Sequence, residues 1–228
     1  MIVLPLGAAI VALVFAVLLA RQFMTRRKPF QALWTLALLM YAGASLALFL
    51  GQIDGWTAAE FRAYWALGAV LNVPYLAAGE SVLLFPRRTA RNVVFLLLIA
   101  ATVVAGAGVG GADVTAGALD SELPLGRHVF GDGSTPHLLA QAFGWGGYLI
   151  LLAGTMWSAL RIKGVAAQRD RFLGTLYIAA GATVVAIGTG VGASQESFPF
   201  FSVSLLVGMA VMFLGFLRAS RRPAPAPD

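Results

Sequence analysis

Seven long apolar runs, separated by short polar or glycine-rich segments, account for most of the chain. As a helix, about 20 such residues rising 1.5 Å each cross a hydrocarbon core roughly 30 Å thick. The pattern predicts spanning helices over residues 2–20, 30–50, 61–85, 92–110, 137–160, 172–192 and 199–217. The expected fold class is all-α: a polytopic membrane protein, with one seven-transmembrane-helix bundle over 1–220 and a basic, proline-rich tail at 221–228. No basic residue precedes the first run, so it is read as a retained helix and not as a cleaved signal peptide. One connection is long, the stretch at about 112–136, and a loop of that length is expected to be a lid, a binding loop or mobile.

Polar residues break the apolar pattern most sharply in the third run, YWALGAVLNVPYLAAGESVLLFPRR. Pro74 has no amide hydrogen to give the carbonyl of Val70, which predicts a helix kink. Asn72 and Glu80 lie eight residues apart, about 80° around a helix, and share one broad face with Gly68 and Leu76. An acid inside a bilayer costs on the order of 2.5–3.5 kcal/mol at mid-depth, so Glu80 wants an explanation. Asn72 and Glu80 form a candidate intramembrane polar site for a proton or cation. The alternatives are a structural carboxylate, protonated or held by an arginine of a basic loop, and an asparagine that ties two helices together.

Two runs carry small residues every fourth position: Ala8, Ala12, Ala16 and Ala20 in the first, and Gly174, Ala182, Ala186 and Gly190 in the sixth. Such stripes let helices approach closely in lipid. They are read first as helix packing inside the bundle; the alternative for the stripe of the first run is a face for a homo-oligomer.

Composition agrees with the membrane class: of 228 residues, 59% are hydrophobic and 11% charged. The net charge of +6 would suggest nucleic acid if it were spread over a surface, but it is sorted by segment. All but Arg62 and Arg127 of the 16 Lys and Arg fall after the first, third, fifth and seventh runs. Asp54, Glu60, Asp113, Asp120, Glu122, Asp132 and Glu196 fall on the other side. By the positive-inside rule the basic side is cytoplasmic, with the N-terminus outside and the C-terminus cytoplasmic. The partners implied are the lipid bilayer, anionic lipid at the inner basic loops and a membrane or cytoplasmic protein, with no role for nucleic acid.

Residue supply limits the chemistry. The chain has no cysteine, which removes disulfides and thiolate sites. Its only lysines, Lys28 and Lys163, lie in basic loops, so a retinal-type Schiff base inside the bundle is excluded. Its only histidines, His128 and His137, lie in or beside the outer loop, which argues against intramembrane haem. With Asp132 they are read as surface residues of that loop and not as a metal site. No catalytic residue and no cofactor are assigned, because no nucleophile and base converge within the runs. Two readings remain. One is a non-enzymatic sensor or partner-binding seven-helix protein recognising something through its outer loop. The other is a small-solute or proton-coupled transporter using the kinked third helix with Asn72 and Glu80.

The segment FRAYWALGAVLNVPYLAAGESVLLFPRR, with LDSELPLGRHVFG and GTMWSALR, resembles an uncharacterised family of bacterial seven-helix integral membrane proteins. The resemblance covers nearly the whole chain and implies the seven-helix fold and a bacterial plasma-membrane location. Glu80 departs from the small or hydroxylated residue of that pattern.

Overall fold

The computed structural model describes residues 2–165 and 168–220, which are predominantly helical with no strand among them. The tail at 221–228 lies outside the described residues. Seven helices are long and apolar enough to cross a membrane: α1 Val3–Arg26, α2 Pro29–Asp54, α3 Ala58–Leu84, α4 Arg88–Gly110, α5 Thr135–Ile162, α6 Arg169–Ser194 and α7 Phe198–Ala219.

The helices extend past the apolar stretches at several ends, and α1 continues from Ala20 to Arg26. Bilayer thickness limits an apolar run, but not the hydrogen-bond ladder beneath it. Arginine is a good helix former whose stem stays along apolar surface while its head reaches water. Capping sets other boundaries. α3 begins at Ala58, ahead of the predicted 61, because Thr57 and Glu60 form a capping box: Glu60 N donates to Thr57 Oγ1 at 3.2 Å and Thr57 N to Glu60 Oε2 at 3.0 Å. Proline in the first turn starts α2, α5 and α7, where its missing N–H costs nothing.

Six helices form a closed ring in the order α1, α2, α3, α5, α6, α7, with α7 returning to α1. α4 stands outside the ring against α3 and α5, and turns Leu96, Leu97, Ile99 and Val103 outward. The main apolar core joins Ala8, Ala12 and Ala16 of α1 to Leu38 and Tyr41 of α2 and to Leu205, Met209 and Phe216 of α7. Ala20 is half-buried at the end of the same stripe.

The tightest seam lies between α6 and α7. A Cβ at Gly174 would strike the carbonyl of Gly215, one at Gly181 the carbonyl of Gly208, and one at Gly188 the side chain of Ser204. Glycine at these points lets the two backbones touch, which is how helices gain dispersion energy where lipid offers no hydrophobic drive.

The end of the bundle opposite the basic loops is capped. Phe61, Val129 and Leu119 are buried together, and Trp56, Phe61, Tyr64, Trp65 and Phe130 form a run of ring contacts at 5.1–5.9 Å. The 112–134 connection folds over this cluster, with a short turn at Ala116–Ala118 and a helical turn at Gly126–Val129. Gln52 Nε2 donates to Glu122 O at 2.6 Å, Arg62 Nη2 to Ala112 O at 2.8 Å, and Trp65 Nε1 to Pro136 O at 3.0 Å. The loop thus lies as a lid over that end of the bundle, with Leu123 and Leu125 buried in the main core.

Candidate functional site

Inside the ring, below the lid, is a cavity of about 340 Å³, within the size range of small-molecule sites. Each contributing helix offers one face at helical spacing: Tyr41, Ser45 and Leu48 from α2, His137, Gln141, Gly144, Tyr148 and Leu151 from α5, Ala182, Ala186 and Gly190 from α6, and Leu205, Met209 and Met212 from α7. Leu123 to Arg127 of the lid form its roof. From His137 to Leu151, at 1.5 Å per residue, the cavity runs about 20 Å along the bundle axis.

The α3 wall has an unusual backbone. Residues Trp65–Leu71 are π-helical, and the amide of Asn72 bonds back to the carbonyl of Leu67, one residue further than in an α-helix. Such wide turns are rare and gather at functional sites. This one precedes Pro74, where the ladder lacks a donor, and carries Trp65, Gly68 and Ala69 into the cavity wall. Gly68 also meets Ala44 of α2, so a larger residue there would separate two walls.

Many polar groups in the wall are already satisfied by the protein. Tyr41 OH donates to Leu205 O at 2.9 Å, Asn72 Nδ2 to Ala37 O at 2.6 Å, Thr189 Oγ1 to Val185 O at 2.9 Å, and Tyr148 OH meets Thr183 Oγ1 at 2.9 Å. Inside a membrane an unpaired polar group costs several kcal/mol, so these bonds let a largely apolar surface carry hydroxyls and an amide. Arg127, His137 and Gln141 collect at the lid end. Arg127 Nη2 bonds Glu196 Oε1 at 2.9 Å, and His137 Nε2 lies 2.9 Å from Gln141 Nε2 and 3.5 Å from Asp132 Oδ1. Among the described residues the lining holds no carboxylate. The floor is apolar: Leu76, Leu151 and Met212 line the cavity and also a much smaller void beneath it with Phe15, Trp34, Leu38 and Ile178.

The structure divides the polar pair read from the third run. Asn72 lines the cavity and bonds to α2, whereas Glu80 lies deeper toward the basic end, accepts from Ser158 Oγ of α5 at 3.3 Å and is 2% exposed. Glu80 packs over Gly154, where a Cβ would strike its Cγ, and is not in the cavity lining. α3 sits between α2 and α5 in the ring, so one broad face serves two different neighbours. Pro74 lies between the two sites, directly after the π-helical stretch.

Small residues also separate by role. Ala8, Ala12 and Ala16 are buried in the core, but Ala182, Ala186 and Gly190 line the cavity, while α6 meets α7 through Gly174, Gly181 and Gly188. His137 departs from the surface reading: its side chain is 17% exposed, and its Nδ1 is buried without a hydrogen-bond partner among the described residues. The stripe His137, Gln141, Gly144, Tyr148 and Leu151, spaced by four and three, was available in the sequence as the signal of a polar-to-apolar helix face. The cavity itself was not, because it depends on how far α5 and α6 stand apart.

No protein-family model, curated protein or solved structure matches this chain.

Proposed function

We propose that this protein is a non-enzymatic seven-helix membrane sensor that binds a small, largely apolar ligand in the cavity beneath the lid. The observation that carries this reading is the cavity itself, lined by α2, α3, α5, α6, α7 and the lid, apolar at depth and polar at one end. With no carboxylate in the lining, the residues suit recognition better than acid–base chemistry. The apolar floor and the position of Glu80 outside the lining weigh against the transporter reading, which needs a polar route past Asn72. In this proposal the basic end faces the cytoplasm of a bacterial plasma membrane, where its loops meet anionic lipid or a protein partner.

Purified protein is tested against octanol and benzyl alcohol in detergent. Bound compound is expected to raise the unfolding midpoint of the wild type and leave Gly144→Leu unmoved, since that side chain fills the cavity. A sensor must also respond at its far end, so occupancy is expected to change the thiol-labelling rate of Arg27→Cys, in a chain with no other cysteine. Equal shifts in both proteins, or none, would contradict the reading. In intact cells, labelling of Arg27→Cys by an impermeant reagent from outside would reverse the orientation.

A further inference from the structure

The wall between α5 and α6 differs from every other wall of the cavity. Gln141, Trp145 and Gly190 line the cavity and are themselves exposed, Trp145 by 62%, where the other lining residues are buried or half-buried. A Cβ added at Gly144 or at Gly190 meets nothing within 4 Å. These glycines, one on each lip, are therefore not explained by close helix contact, and a glycine inside a helix is less favourable than an alanine. The gap has limits along the axis. Toward the basic end Tyr148 and Thr183 close it, and at the lid end Arg127 and Glu196 bridge the roof to the α6–α7 link. The roof is tied down, so the open side faces the hydrocarbon region beside the lid end of α5 and α6.

From this geometry we infer that the ligand is a single-chain amphiphile dissolved in the bilayer, admitted sideways between α5 and α6. A side opening onto lipid selects molecules already partitioned there. Arg127, His137 and Gln141 at the lid end suit a hydrogen-bonding head, and the apolar depth toward Leu151 and Met212 takes the chain. The length of about 20 Å favours a chain over a compact ring system. The inference rests on the cavity being a ligand site and adds the ligand class and its route.

The test uses the full chain in phosphatidylcholine vesicles, with dibromostearic acid as a tryptophan quencher. Trp65 and Trp145 line the cavity and report its occupancy. The wild type is expected to show a saturable quenching phase above the linear background of lipid-facing tryptophans. Gly190→Leu, and Gly144→Leu from the opposite lip, are expected to weaken that phase at least tenfold with unfolding midpoints no lower than that of the wild type. Saturable quenching that survives both variants would overturn the side route. Linear quenching alone in the wild type would overturn the amphiphile. In that case stabilisation by octanol or benzyl alcohol would show that the cavity still binds ligand, and its absence would remove the ligand-site reading as well.

Discussion

The two faces of α6 use small residues in opposite ways. On the α7 side, Gly174, Gly181 and Gly188 bring backbones into contact, and no atom could be added without moving a helix. On the α5 side, Ala182, Ala186 and Gly190 border empty space, and Gly190 has room for a side chain. A small residue thus marks either contact or clearance, and what distinguishes them is the partner across the gap. Gly181 faces Gly208 and Met212; Gly190 lines the cavity, and a Cβ there would meet nothing within 4 Å.

The largest expected effect comes from breaking the closed face. Gly181→Leu forces a side chain into the Gly208 carbonyl and Met212, and we expect a loss of about 3 kcal/mol, near the upper end for overpacking, read as a lower unfolding midpoint. The same substitution on the open face should behave otherwise. Gly144→Leu and Gly190→Leu should leave the midpoint level or raise it by up to about 1 kcal/mol each through helix propensity, while the ligand-induced shift disappears. Equal destabilisation on both faces would erase the distinction.

Smaller effects separate stability from binding. Ser158→Ala removes the described hydrogen bond to Glu80 below the cavity, and should cost about 1 kcal/mol with ligand response intact. For Glu80→Gln in proteoliposomes under an imposed pH gradient, neither it nor the wild type is expected to carry protons; flux in the wild type that the variant loses would favour transport. Least affected should be Arg127→Gln, which breaks a half-exposed ion pair worth about 0.2–1 kcal/mol and shrinking with salt. Its midpoint should move by no more than that.

The seven spans were legible because bilayer thickness imposes a length and an apolarity that few other structures share. The apolar pattern misplaces the start of α3 at 61, although Thr57-Ala-Ala-Glu60 carries a capping-box signal for 58, and it leaves the prolines opening α2, α5 and α7 unused as start signals. The roles of Ala182, Ala186 and Gly190 were not legible, since a four-residue spacing of small side chains looks the same beside a helix and beside a void. The π-helical turn at Trp65–Leu71 had one signal, Pro74, which announces an irregular ladder without saying whether the helix bends or widens. Asn72 and Glu80 seemed to share a face, and did so only until the ring order gave that face two neighbours.

The central claim, that the space between α5 and α6 holds a ligand, is tested most directly by native mass spectrometry of the full chain released from its own membrane. The account predicts a bound small molecule on the wild type, retained under gentle activation and missing from the Gly144→Leu and Gly190→Leu double variant of equal stability. A wild type that emerges bare, or a double variant that carries the same bound mass, would contradict it.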